Sequence, residues 1–138
     1  MEFRVAHWGG ERCVTGSCRL MQIRGHNILV DCGMAQGRDA SVPIEKWPVK
    51  PIEVDFVFLT HAHIDHIGFL PTLIQQGFKG QIVTSHPTGA LILPMLKDAM
   101  RFETMTVSGR EKIVQTIEKL LWGFEYGETF DLGKDVVF

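Results

Sequence analysis

Three of the six histidines in this chain lie within six residues, and an aspartate lies among them. His61, His63, Asp65 and His66 all belong to the segment FLTHAHIDHIGFLP. Imidazole nitrogens combined with a carboxylate suit zinc best among the common protein metals. Residues two apart do not face each other on a helix, so the His61 and His63 rings can converge on one metal only in a turn. The alternatives are surface histidines in a polar loop, or an Asp65 that caps a helix and has these histidines as incidental neighbours.

The second half of the cluster points to a second metal position. Asp65 and His66 are adjacent and lie where the next helix is predicted to begin, so they can face a point a few ångströms from the first. Two metal ions about 3.5–4 Å apart, as in bimetallic hydrolases, suit this arrangement. The cluster follows the apolar run VDFVFL (54–59), which predicts a buried strand. Open α/β sheets bind ligands at the carboxyl ends of such strands.

The elements that must position this segment alternate between strands and helices. Alternation and turn signals predict strands over residues 2–7, 17–23, 26–31, 54–59 and 81–85. The second and third form a hairpin around Arg24 and Gly25. Apolar spacing predicts helices over residues 67–76, 88–105 and 108–121. Strands alternating with helices predict an α/β protein.

Local signals refine these helices. Gly77 is a fitting residue to end the first helix, and Gly68 hints at close packing beside the cluster. Pro94 predicts a bend or an interruption in the second helix. Ser108 and Glu111 predict a capping box in the third. Residues 124–138 predict a short strand, a turn and a final strand near Val136.

Composition bounds the class of protein. The 138 residues, 45% hydrophobic and 22% charged, suit one small globular domain. A net charge of -2 gives no electrostatic footprint for a polyanion, although bound metal ions would add positive charge. No apolar run approaches the ~20 residues of a membrane span, and the first residues lack a signal-peptide apolar region. Cys13, Cys18 and Cys32 form no CxxC pair, which predicts reduced thiols in a cytoplasmic protein.

Three segments together resemble a known family. VTGSC (14–18), DCGMAQG (31–37) and HAHIDHIGFLP (61–71) are similar to motifs of the metallo-β-lactamase superfamily, and within it to the opening of the β-CASP branch of RNA-processing nucleases. GFKGQIVTSHPT (77–88) resembles their next strand and helix start. Just before VTGSC, Arg12 and Cys13 depart from the Gly-Glu or similar pair that such proteins often carry. The resemblance implies the first half of an αβ/βα sandwich, a mixed sheet with outer helices, in a single partial domain over residues 1–138.

The family implies roles for matching positions. It assigns His61 and His63 to a first zinc ion, and Asp65 and His66 to a second, with Asp65 also predicted as a catalytic residue. Asp31 matches an aspartate that orients the metal site without binding the metal; its alternative role is to form the turn before Cys32. Thr60 either supports His61 by hydrogen bonding or simply ends a strand. No substrate-binding residue is predicted.

The implied activity is hydrolysis of RNA phosphodiester bonds by a water activated between two zinc ions. The family needs further ligands beyond Phe138, and His86, within SHPT, does not resemble one, so we predict a loop or surface histidine there. We therefore expect an N-terminal fragment that alone binds zinc weakly or not at all and is inactive. The alternatives are a fragment of a small-molecule (thioester or lactam) hydrolase of the same superfamily, which the DCGMAQG loop disfavours, and a non-enzymatic module for metal binding or assembly.

Half a sandwich would leave one sheet face uncovered. Val5, Val30, Val57, Leu59 and Val83 belong to apolar strands that predict burial on both sides. A bare apolar face and an unpaired terminal strand both favour association. We therefore expect a homo-oligomer formed through the exposed sheet face or the terminal strand, with RNA as the partner of the complete enzyme and no membrane contact.

Overall fold

A six-stranded mixed sheet organises the chain. The structure, a computed structural model, describes residues 2–138. The strands lie side by side in chain order: β1 (Phe3–Gly9), β2 (Cys18–Ile23), β3 (His26–Val30), β4 (Phe56–Phe58), β5 (Gln81–Ser85) and β6 (Leu121–Phe124). The first three are antiparallel, and β3 to β6 run parallel. The predicted mixed α/β sheet is confirmed, and the strand 81–85 has the predicted bounds.

The β2–β3 hairpin forms because its turn accepts left-handed backbone. Arg24 and Gly25 both have positive φ, 48° and 76°. A two-residue turn of this kind matches the right-handed twist of the flanking strands. The ladder then pairs Ile23 with His26 directly across the turn. The predicted hairpin is therefore confirmed, with strand ends that differ by one residue.

Four helices connect the parallel strands: α1 (Ile64–Ile67), α2 (Leu70–Gln75), α3 (His86–Ala99) and α4 (Val107–Leu120). The single helix predicted over residues 67–76 is wrong, because α1 and α2 are separate. The Phe69 amide donates to the Cys32 carbonyl at 2.9 Å instead of to its own helix. Pro71 lies in the first turn of α2, where an amide hydrogen is not needed. Gly77, with φ of 100°, ends α2 as predicted.

Pro94 does not interrupt α3. The helix continues to Ala99 and is followed by a single 3₁₀ turn, Met100–Phe102, so the predicted bounds 88–105 are also wrong. A proline leaves the carbonyl four residues earlier without its helical partner. That carbonyl belongs to Ala90, which is exposed, as is Pro94 itself, so water can satisfy it.

The start of α4 corrects another prediction. Thr106 is the N-cap, and its Oγ1 accepts a hydrogen bond from the Gly109 amide at 3.0 Å. The capping box predicted for Ser108 and Glu111 is therefore wrong. Ser108 lies inside the first turn, one residue after the helix begins. At the other end, Leu121 is the first residue of β6 and not the last of the helix.

The main core lies between the helices and one face of the sheet. It joins alternate residues of the strands to the apolar sides of the helices: Leu20, Leu29, Val57, Ile82, Ile67, Leu70, Leu73, Ile92, Leu96, Ile113 and Ile117. Alternate strand residues point to one face, so these strands present every second side chain to the helices. No helix within residues 2–138 is long and apolar enough to cross a membrane.

A terminal hairpin packs on the opposite face. Strands β7 (Asp131–Gly133) and β8 (Val136–Val137) form a separate antiparallel pair, which buries Leu132 and Val136 against Ile28. The expectation of a bare inner face is therefore corrected, because the hairpin covers part of it. Of the residues expected to mark that face, Val57 and Leu59 lie in the helix-side core and Val83 is buried. Val30 is half-buried, and Val5 remains 46% exposed.

Candidate metal centre

The histidine cluster occupies the turn between β4 and α1. His63 is the N-cap of α1 and has an extended backbone, so the chain changes direction between His61 and Asp65. Gly68 follows α1 in a crowded position, since a Cβ there would lie 2.9 Å from the Cβ of Met34. The close packing that the sequence predicts at Gly68 is therefore present. It holds α1 against the segment that follows β3.

The structure brings the four predicted side chains together at the carboxyl end of β4. The ring centroids of His61 and His63 are 4.8 Å apart, and those of His61 and His66 are 3.9 Å apart. The Oδ2 of Asp65 lies 3.4 Å from the Nε2 of His66. His61 therefore lies close to both of the other rings, and Asp65 lies beside His66.

Asp31 is the buried anchor of this site, at 1% exposure. Its carboxylate accepts hydrogen bonds from the Thr60 amide at 2.9 Å, the Thr60 hydroxyl at 3.0 Å and the Ser17 hydroxyl at 3.3 Å. It also lies 2.7 Å from the Nδ1 of His66. The contact with His66 is compatible with a role in orienting that ring, and the φ of 62° at Asp31 is compatible with the alternative role in the turn before Cys32.

The two rings nearest Asp31 receive the same kind of support. With its Nδ1 proton donated to Asp31, His66 keeps a lone pair on Nε2, the atom that faces Asp65. The Thr60 hydroxyl donates to Asp31 and lies 2.9 Å from the Nδ1 of His61, from which it can accept. One buried carboxylate therefore sets the tautomer of His66 directly and that of His61 through a hydroxyl. Carboxylates hold metal-binding histidines in this way.

Backbone hydrogen bonds fasten the segment to two loops, the one before β2 and the one after β3. The carbonyls of Ile64, Asp65 and His66 accept from the amides of Met34 at 3.2 Å, Ser17 at 2.9 Å and Cys32 at 2.8 Å. Ser17 is a residue that the sequence reasoning did not select, although it lies inside the quoted VTGSC motif. Its separation from Asp65 along the chain hides this contact from any local pattern.

The imidazole and carboxylate groups of the site are ligands that zinc prefers, and the four side chains allow two for each of two ions. Within residues 2–138, no three histidine, cysteine, aspartate or glutamate side chains stand together as a complete metal site. His86 is the first residue of α3 and is exposed, with its Nε2 3.9 Å from the Oε1 of Glu125. It is a surface histidine as predicted, although it belongs to a helix and not a loop.

Two cysteines lie behind Asp31 without joining the site. Cys18 and Cys32 are buried, whereas Cys13 is half-exposed, and all three are free thiols. Burial, with a smaller contribution from the neighbouring Cys18, raises the pKa of the Cys32 thiol well above its ordinary value. A neutral thiol is neither a good nucleophile nor a good metal ligand. Cys32 therefore acts as a packing residue.

Comparison with known proteins identifies the superfamily. The sequence pattern of the metallo-beta-lactamase superfamily matches residues 12–135 of this chain. A ribonuclease of Thermus thermophilus is 37% identical over 130 residues, which cover 94% of this chain and 30% of the ribonuclease. The transcription termination factor FttA of Methanocaldococcus jannaschii is 33% identical over 138 residues, which cover 96% of this chain and 22% of the factor.

A solved structure shares the fold. The rubredoxin oxygen:oxidoreductase of Desulfovibrio gigas superposes with a TM-score of 0.53 at 20% identity, over 86% of this chain and 25% of that protein. The chain belongs to the metallo-beta-lactamase superfamily. It spans less than a third of the length of the curated relatives described above.

Proposed function

We propose that this chain supplies half of a dizinc centre in an RNA-hydrolysing enzyme of the β-CASP branch. The observation that carries the proposal is the pair of histidine rings that Asp31 orients. The Nε2 of His66 faces Asp65, and His61 lies beside it, supported through Thr60. The names of the relatives, a ribonuclease among them, give the class of substrate.

The residues divide between two ions. His61 and His63 would hold the first, and Asp65 with His66 the second. When bound, zinc lowers the pKa of water to near neutrality and offsets the charge that develops on a phosphoryl group. Catalytic zinc sites use three protein ligands and leave one position open. Two ligands for each ion leave both incomplete, so we propose that further polypeptide supplies the others.

The role of this chain is to hold its ligands before any metal arrives. The carboxylate of Asp31 keeps a proton on the Nδ1 of His66, and the Thr60 hydroxyl does the same for His61. Each ring then presents its Nε2 lone pair without reorganisation. Asp65 is held through its backbone carbonyl, which accepts from Ser17, so its carboxylate starts from a fixed Cα position.

A chimeric protein tests the activity. Residues 1–138 would be joined to the Thermus thermophilus ribonuclease in place of the region that they match. We expect zinc-dependent cleavage of a single-stranded RNA oligonucleotide. The Asp65→Asn chimera should lose this cleavage, because the second ion loses a carboxylate. The 138-residue chain alone should bind zinc weakly or not at all and should cleave nothing.

The alternatives predict other outcomes. A chimera that folds and binds two zinc ions but leaves RNA intact, while it opens a lactam or a thioester, would favour the small-molecule hydrolase. Tight zinc binding by the isolated chain without any hydrolysis would favour the non-enzymatic module. Robust RNA cleavage by the isolated chain would contradict the incomplete site.

We also propose that the purified chain associates with a second copy of itself through the sheet face that carries the terminal hairpin. The hairpin leaves a cavity of about 420 Å³ against this face, lined by apolar side chains that include Met21, Phe58 and Phe124. Beyond the hairpin, Phe3 and Val5 pair across β2 with Ile23 and Met21, so they share this face, and they are 51% and 46% exposed. A second copy offers the same surface in return.

A further inference from the structure

Asp39 joins two loops that the metal centre does not explain. Its Oδ2 accepts hydrogen bonds from the Val14 amide at 3.2 Å, the Thr15 amide at 2.7 Å and the Thr15 hydroxyl at 2.6 Å. The Thr15 hydroxyl in turn accepts from the Gln36 amide at 2.8 Å. These four residues, Val14, Thr15, Gln36 and Asp39, are called the Asp39 clamp below. They fasten the loop after β1 to the loop after β3.

The clamp is the main restraint on the tip of the first loop. Val14 is 86% exposed, so burial of its side chain contributes little there. The hydroxyl and amide of Thr15, followed by the Val14 amide, lower the pKa of Asp39 from its ordinary value. The carboxylate is therefore charged at neutral pH. Hydrogen bonds to a charged acceptor are about twice as strong as neutral ones.

Only one residue separates the clamp from the metal centre. Gly16 has φ of 79°, and a Cβ on it would lie 3.0 Å from the backbone of Ala35, so the segment has little slack. The next residue, Ser17, donates its amide to the Asp65 carbonyl at 2.9 Å and its hydroxyl to Asp31 at 3.3 Å. Movement of the loop would thus reach both acidic residues of the site.

We infer that Asp39 is a positioning residue for the metal centre. Its carboxylate anchors residues 13–17, and the anchored loop fixes Ser17 against Asp65 and Asp31. Asp39 contacts neither a proposed ligand nor Asp31, so it acts only through the loop. The inference rests on the function proposed above, because Asp65 and Asp31 matter here as parts of that site.

Nuclear magnetic resonance of the metal-free chain at pH 7 tests the positioning directly. In Asp39→Ala, we expect the Ser17 amide to exchange with solvent at least about tenfold faster, because the loop that holds it against Asp65 loses the charged acceptor of Val14 and Thr15. The ring ¹⁵N shifts of His66 should report a changed tautomer balance, because the Ser17 hydroxyl and the His66 Nδ1 share the Oδ2 of Asp31. Asp39→Asn keeps an acceptor oxygen without the charge and should fall between Asp39→Ala and the wild type.

A matched control and a metal titration separate the explanations. Asp98→Ala removes another exposed carboxylate, one that faces Arg101 at 3.5 Å on α3, and should change neither signal. In the chimera, where the metal site is complete, Asp39→Ala should weaken zinc affinity about threefold to tenfold, less than the 10- to 100-fold typical of a direct partner of a metal ligand.

The outcomes decide the inference whether or not the proposed function holds. Unchanged Ser17 exchange in both Asp39 variants would overturn it, and so would faster exchange with an unchanged His66 tautomer, since the clamp would then be local to the loop. Changes in both signals, together with a folded chimera that neither binds zinc nor cleaves RNA, would support the positioning role while contradicting the proposed metal function. Because Asp39→Asn retains the acceptor, it decides the matter even if Asp39→Ala fails to fold.

Discussion

Asp31 serves as the common acceptor for groups that come from three parts of the chain. Ser17, Thr60 and His66 all donate to it, and the most distant of them is 35 residues away. A buried carboxylate is costly unless it is hydrogen-bonded. The network around Asp31 therefore supports folding and the site at once, which makes this residue the most informative one to change.

We predict that Asp31→Asn lowers the free energy of unfolding by about 1–3 kcal/mol, because an amide group replaces an acceptor oxygen among donors. Asparagine also tolerates the left-handed backbone of Asp31, φ of 62°, so strain does not confuse the result. Urea unfolding of the 138-residue chain measures the change. Asp98→Asn is the exposed control and should lie within about 0.5 kcal/mol of the wild type.

Acid should weaken the stabilisation that the Asp39 carboxylate provides. The pKa of Asp39 is lowered in the folded chain by Thr15, so its hydrogen bonds stabilise the fold fully above the unfolded pKa, near 3.9. This contribution is lost as the pH falls through the lower, folded pKa. We expect the melting temperatures of the wild type and Asp39→Asn to differ above about pH 5 and to converge below about pH 4. A gap that widens on acidification would contradict the assignment.

At the scale of the element, only one of two neighbouring hydroxyl residues caps the start of α4. The Thr106 hydroxyl accepts from Gly109, whereas Ser108 lies inside the first turn. We predict that Thr106→Ala lowers the free energy of unfolding by about 1 kcal/mol. Ser108→Ala should leave it nearly unchanged or raise it slightly, since alanine is the better helix former. If urea unfolding showed equal losses of unfolding free energy in the two variants, Ser108 would contribute to the cap as much as Thr106.

At the scale of the molecule, the exposed side of the sheet should govern association. We predict that the chain sediments as a dimer or larger assembly at micromolar concentration, because exposed apolar residues continue past the terminal hairpin to the edge strand β1. Val5→Lys places a charge on that face and should shift the chain towards monomer. Leu91→Lys, on the helix side and 56% exposed, is the matched control. A monomeric wild type that binds no apolar dye would refute the association.

The sequence by itself determined the features that depend on near neighbours. The spacing of His61, His63, Asp65 and His66 indicated convergence after a buried strand, and the structure brings these side chains together. The Arg24-Gly25 turn set the hairpin. Such features are local: a period of two, a two-residue turn or a glycine that ends a helix acts over a few residues, and its energy does not depend on the rest of the fold.

Only the tertiary structure decided which distant groups satisfy one another. The amide of Phe69 finds the Cys32 carbonyl, and so one predicted helix becomes two. Thr15 meets Asp39 across 24 residues, and His26 meets the Gly133 carbonyl of the terminal hairpin across 107. Buried donors and acceptors must be paired, and their partners are set by how the sheet brings loops together. No local pattern contains that information, because each partner alone has the composition of an ordinary loop.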